Sequence, residues 1–210
     1  MIKLDIFSDP ICPWCYIGKA RLDRALAARP DHPFHIEWHP FQLNPDMPAQ
    51  GMDRRAYLEA KFGGKERAVQ AYMPVIEHAT QAGLEINLDA IATTPNTLDA
   101  HRLIHWAGIE GRQTAAVSAL FRAYFIDGRD IGDTEVLADL ADGIGMDAAV
   151  VLRLLASDAD ADDIRARDQA AREMGVNSVP TFLVNRQHAV PGAQPTDLWL
   201  SVIDEIGAQN

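Results

Sequence analysis

The stretch FSDPICPWCYIGKARL, Phe7 to Leu22, holds the only two cysteines of a 210-residue chain, with Pro13 and Trp14 between them. What lies on either side decides how it is read. Upstream, Ile2–Phe7 (IKLDIF) alternates apolar and polar residues, the pattern of a strand with one face more buried. Ser8-Asp9-Pro10 breaks that pattern. From Cys15 onward Gly18, Leu22, Ala25 and Leu26 fall on one face of a helix, which Arg29-Pro30-Asp31 ends. Phe34–Trp38 (FHIEW) alternates again and reads as a second strand. The first 40 or so residues therefore read strand, helix, strand, and the first turn of this unit carries both cysteines.

From about Met52 to Gly175 only helical periods are found. Val69, Tyr72 and Ile76 share a face, with Pro74 bending or restarting that helix. Ala100, Leu103, Ile104 and Ala107 form another stripe, as do Leu120, Phe121, Tyr124 and Phe125. Val136, Leu137 and Leu140 follow, then Val150, Val151, Leu154 and Leu155. These stripes read as helix-bundle core. Strand signals return in Thr181–Val184 and His188–Val190, joined by an Asn185-Arg186-Gln187 turn. Pro195 and Thr196 then open a last helix that buries Leu198, Trp199, Val202, Ile203 and Ile206. A βαβ unit followed by ββα is the thioredoxin arrangement. The fold expected is α/β, with residues 1–42 and 176–210 forming a thioredoxin-like domain and residues 43–175 an all-helical domain inserted between its halves.

The composition, 48% hydrophobic and 23% charged, is that of a globular chain able to bury a core without disulfide staples. The net charge of −11, from 19 basic and 30 acidic residues, argues against nucleic acid and against an anionic membrane as partners. Neither a signal peptide nor a run of the ~18 apolar residues a membrane helix needs is seen. A cytoplasmic location is expected, where a cysteine pair is more often catalytic or metal-binding than structural.

Two thiolates are half of a tetrahedral zinc site, and no second pair exists. His101 and His105 share a helix face at i, i+4 but lack the glutamate of a zinc-protease helix, and both read as partly exposed, so no metal is expected. DADADD (Asp158–Asp163) has Asp163 where a calcium loop needs glycine and Gln169 where it needs glutamate, and reads as an acidic helix start. The dithiol reading has a mechanism. Cys12 stands at a helix N-terminus, whose free N–H groups and dipole favour a thiolate. Pro13 suits the first helical position. Cys15, one turn inward, can reach Cys12 to resolve a mixed disulfide. Val179-Pro180-Thr181 precedes the third strand, where thioredoxin folds place a cis proline against the cysteines. Such a bond lets the Val179 backbone face an extended substrate. Trp14 is placed either to contact an apolar substrate or to pack on the insertion. His39 is placed either near the dithiol or at the surface, and Asn96 or Thr97 caps a helix.

Five segments, SDPICPWCYIGKARL, WHPFQLNPDMP, TPNTLDAHRLIHWA, GVNSVPTFLVN and PGAQP, together resemble the FrnE-like branch of the DsbA family of thiol–disulfide oxidoreductases, in order and over nearly the whole chain. The resemblance implies Cys12 as nucleophile, Cys15 as resolving thiol and Pro180 as the cis proline; the residues expected to bind substrate are Pro180, Val179, Trp14 and Pro13. It implies a disulfide- or thiol-containing protein or small molecule as partner, no bound cofactor, and glutathione as a candidate redox partner or co-substrate. A monomer or homodimer is expected. The superfamily also holds 2-hydroxychromene-2-carboxylate isomerases and kappa-class glutathione transferases, which generally carry serine at the first cysteine position. A glutathione-dependent isomerase or transferase acting on an aromatic or polyketide-like substrate is thus the alternative.

Overall fold

The computed structural model describes residues 1–208. Its centre is a four-stranded sheet in the order β2-β1-β5-β6, where β1 is Ile2–Ser8, β2 Phe34–Pro40, β5 Thr181–Val184 and β6 His188–Pro191. β1 runs parallel to β2, pairing Ile6 with Trp38, and antiparallel to β5, pairing Ile6 with Phe182. The parallel pair requires a crossover. Helix α1 (Pro13–Ala28) supplies it and packs beside the last helix, α9 (Thr196–Ala208). Leu4, Ile6, Phe182 and Trp199 are fully buried, and the Phe182 and Trp199 rings meet edge to face at 4.7 Å.

The segment between β2 and β5 carries seven helices: α2 (Arg54–Phe62), α3 (Lys65–Gln81), α4 (Leu98–Ile109), α5 (Gln113–Phe125), α6 (Thr134–Gly143), α7 (Ala148–Leu155) and α8 (Ala161–Glu173). Asp53, Asp133 and Asp147 accept N–H groups of the first turns of α2, α6 and α7, so each start is fixed by a side-chain cap. Asp162 and Asp163 lie in the first turn of α8, as an acidic helix start should. Helices α4, α5 and α8 pack against β2 at the edge of the sheet. Here the Gln113 side chain accepts from the Trp38 N–H at 2.9 Å and donates to its carbonyl at 3.0 Å, closing part of the free edge as another strand would. A continuous apolar core joins Leu4, Ile6 and Phe182 to Leu103, Leu120 and Phe121.

Three expectations are corrected. The middle is not purely helical: Met52–Asp53 (β3) and Thr93–Thr94 (β4) form a two-residue ladder too short to leave a periodic trace. Val69 and Ile76 are not core, being 57% and 52% exposed. The buried side of α3 is instead Ala68, Val75 and Ala79, the last two of which pack on Ile17. His101, read as partly exposed, is buried, because α4 is covered by both α5 and α8.

Candidate active site at the CPWC turn

The site begins where β1 ends. Asp9 turns the chain, and its carbonyl accepts the Cys12 N–H at 2.9 Å. Cys12 has extended backbone angles and occupies the N-cap of α1, with Pro13 following. Its carbonyl accepts the N–H groups of Cys15 and Tyr16 at 3.1 and 3.2 Å. The cap has no side-chain acceptor and Pro13 has no N–H, so of the first-turn donors the Trp14 N–H is the one left open toward a sulfur or a ligand among the described residues.

Cys12 and Cys15 lie 3.4 Å apart as free thiols, and both are buried. The Cys12 thiol donates to the Val179 carbonyl across 3.6 Å, and the Val179–Pro180 peptide bond is cis. Gly18 makes this approach possible. A β-carbon there would meet Pro180 Cγ at 3.0 Å and Phe182 Cζ at 3.4 Å, so any side chain would press the proline loop away from α1. Burial pushes the Cys15 thiol well above its ordinary value, and neighbouring Cys12 pushes the same way. The Ser8 hydroxyl and the Asp9 backbone pull against both. Cys15 is therefore a protonated thiol in the dithiol form.

Trp14 is half-buried and tilts on His78 of α3, ring centroids 5.3 Å apart, while His78 Nδ1 lies 3.0 Å from Arg21. Of its two expected placements, it takes packing on the helical segment. His39 is half-buried and engaged on the sheet: its Nε2 lies 2.6 Å from Asp5 and its ring stacks on Phe7. Asp5, Glu37 and His39 converge as metal ligands might, but the Lys3 ammonium already bridges Asp5 and Glu37 at 2.9 and 2.7 Å. Asn96, not Thr97, serves the start of α4, accepting the Leu98 N–H at 3.0 Å, and it also donates to the Met47 carbonyl.

Beneath the turn lies a polar layer that sequence reasoning missed. The Asp9 carboxylate is completely buried and accepts the N–H groups of Leu43 at 2.7 Å and Ile11 at 3.4 Å, stapling the exit of β2 to the cysteine turn. Burial raises its pKa to about 7; the two N–H donors oppose that rise and Asp168 adds to it. His101 Nε2 stands 3.9 Å from Asp9 and has no hydrogen-bond partner among the described residues, and burial lowers the His101 pKa to about 4. Asp168 accepts from the Gln42 N–H and from Arg172, completing the layer. Asp9 lies inside the quoted stretch, but its partners are brought by remote segments, and nothing local reveals them.

The model for the DSBA-like thioredoxin domain matches residues 3–204. The uncharacterized protein YwbO of Bacillus subtilis is 26% identical over 205 residues, 97% of this chain and 96% of its own. A probable DsbA oxidoreductase from Streptomyces coelicolor is 33% identical and superposes with a TM-score of 0.88 over 100% of this chain and 92% of that one. Two more distant structures share the fold. A 2-hydroxychromene-2-carboxylate isomerase has 18% identity and a TM-score of 0.75, covering 99% and 97% of the two chains. The cytosolic disulfide reductase DsbM from Pseudomonas aeruginosa, solved with GSH, has 19% identity and a TM-score of 0.69, covering 98% and 99%.

Proposed function

The chain belongs to the family of DSBA-like thioredoxin domains, and on that premise we propose that it is a thiol–disulfide oxidoreductase working through Cys12 and Cys15. The observation that carries this reading is the pair itself: two free thiols 3.4 Å apart at a helix N-terminus, with the Val179 carbonyl on the first sulfur. The Cys12 thiolate attacks one sulfur of a substrate disulfide. A Cys12–substrate bond forms, the substrate S–S bond breaks, and the departing sulfur leaves as a thiolate that takes a proton. Cys15 then gives up its proton and attacks the Cys12 sulfur. The mixed disulfide breaks, the second substrate thiol leaves, and the two electrons lost by the dithiol now reside on the substrate. Run backwards, the same steps oxidise a substrate dithiol. Two molecules of a small thiol such as glutathione can return the Cys12–Cys15 disulfide to the dithiol, the first forming a mixed disulfide and the second releasing it as the small-molecule disulfide. The Val179 backbone beside Pro180 offers polar groups to an extended substrate.

Burial of Cys15 suits this order of events. Burial, with neighbouring Cys12 adding to it, keeps Cys15 protonated in the dithiol, so the first attack falls to Cys12 and Cys15 acts on the mixed disulfide. An isomerase that only activates glutathione has no step for such a thiol. Cys15→Ser separates the two activities. For the oxidoreductase, incubation with oxidised glutathione leaves a stable mixed disulfide on Cys12, visible by mass spectrometry, and turnover stops. Retention of full turnover on an aromatic substrate with glutathione would assign the chain to the isomerase class instead.

A further inference from the structure

Two arginines of the helical segment are buried to similar depth, and their surroundings differ sharply. Arg102 is 3% exposed and fully engaged: it bonds the carbonyls of Leu154, Ser157 and Ala159 and pairs with Asp99 at 2.7 Å. Arg54 is 7% exposed, and its only side-chain hydrogen bond among the described residues goes to the Tyr124 hydroxyl at 3.2 Å. The guanidinium lies over the Tyr72 ring, 5.3 Å from its centroid. Tyr124 is not a counter-ion. Burial raises its pKa to about 12, and its own O–H donates to the Thr93 carbonyl at 3.3 Å. Among the described residues Arg54 has no carboxylate partner. A buried guanidinium without one is costly unless something else meets it.

Arg54 lines a groove of about 510 Å³ between α2, α3 and the turn before β4. That size falls within the ~300–1,000 Å³ of small-molecule sites. The walls are mainly aliphatic, with Leu58, Val69, Met73, Ile76, Leu88 and Ile91. Val69, Met73 and Ile76 are 57%, 63% and 52% exposed, an apolar stripe that the core leaves uncovered. Charges at the rim do not supply the missing anion. Glu59 pairs with Arg55 at 2.8 Å, Asp53 caps α2, and among the described residues no ion pair joins Arg54 to Asp89, the third carboxylate of the lining. None of Cys12, Trp14, Val179 or Pro180 lines the groove, so it is separate from the dithiol.

We propose that this groove binds an aliphatic carboxylate, whose head group meets the free N–H groups of Arg54 and whose chain lies along the Val69–Met73–Ile76 wall. A guanidinium is a fork matched to a carboxylate, and aliphatic walls suit a flexible chain better than a stacked ring. The whole chain carries a net charge of −11 and repels anions at long range. An anion that binds must therefore be held by a local cation.

Calorimetric titration of the full chain with decanoate and with decyltrimethylammonium tests this. Decanoate is expected to saturate one site, with the cation binding at least ~10-fold more weakly. Arg54→Gln should weaken decanoate by at least ~10-fold while leaving thiol–disulfide exchange at Cys12 intact. If that variant does not fold, Met73→Glu, at an exposed position, sets a negative charge on the groove wall and should abolish decanoate binding. Equal binding of both amphiphiles, no saturable decanoate binding, or unchanged decanoate affinity in the folded variants would each overturn the proposal.

Discussion

Helices α9 and α3 carry similar apolar stripes and treat them in opposite ways. On α9, Trp199 and Ile203 are buried against the sheet while Leu198, Val202 and Ile206 are half-buried beside them. On α3, Ala68, Val75 and Ala79 go inward, and the adjacent stripe of Val69, Met73 and Ile76 stays in the open. The difference teaches that periodicity tells which face is apolar, while topology decides whether anything covers it. α9 ends a chain segment that folds back on a sheet. α3 stands over α1, touching it mainly through small side chains and Trp14.

The sharpest way to break this contrast is to remove a side chain from the covered stripe. Trp199→Ala takes away a fully buried ring in edge-to-face contact with Phe182. A loss of ~3–5 kcal/mol in urea unfolding is expected. A loss near that of a surface substitution would mean that the α9 stripe is no better packed than that of α3.

A second prediction concerns burial of charge rather than of apolar surface. Asp9 ionises at about 7 in the fold, above its ordinary 3.8. As pH rises the unfolded chain loses this proton first, so stability falls across that window and stays lower above it. His101 works in the opposite sense. Its value of about 4 in the fold lies below 6.5, so stability falls as pH drops through that range. Asp9→Asn should remove the first slope and leave the second. Measured by urea unfolding at a series of pH values, the variant should gain on the native chain by on the order of a few kcal/mol between pH ~4 and ~8. Parallel pH profiles for the two proteins would contradict this assignment.

Crowding the site should have a smaller effect. Gly18→Val places side-chain atoms where Pro180 and Phe182 already stand. A destabilisation of ~1–3 kcal/mol is expected, together with slower exchange at Cys12, since the proline loop must move. An unchanged exchange rate would show that the loop's closeness to α1 is not needed. The smallest effect belongs to the open stripe. Met73→Ser, at a residue 63% exposed, should change stability by less than ~0.5 kcal/mol. A large loss there would mean that α3 is covered after all.

Much of the fold was legible because local signals agreed with tertiary ones. Ser8-Asp9-Pro10 ends β1, Pro13 starts α1, and Arg29-Pro30 stops it, as observed. The hairpin turn falls at Asn185 and Arg186, both at positive φ, and the cysteine turn sits where strand meets helix. The cis bond at Val179–Pro180 was legible only as part of a fold-level pattern. What stayed hidden depends on pairs distant in sequence. Asp9 meets Leu43 and His101, Asp168 meets Gln42, and Gln113 closes the edge at Trp38. No periodicity encodes such meetings. The solvent-facing side of α3 is hidden for the same reason: Val69, Met73 and Ile76 recur as core residues do, and only the neighbours decide whether they are covered. The β3–β4 ladder escaped because two residues cannot show a period.

The central claim is that Cys12 and Cys15 form one redox couple. Equilibrating the protein with mixtures of reduced and oxidised glutathione, quenching with acid, alkylating the free thiols and weighing the intact chain tests it most directly. The account predicts a single two-electron transition. Doubly alkylated protein gives way to unalkylated protein holding one Cys12–Cys15 disulfide, and Cys15→Ser replaces that end state with a glutathione adduct on Cys12. Two alkylated cysteines at every glutathione ratio would contradict it.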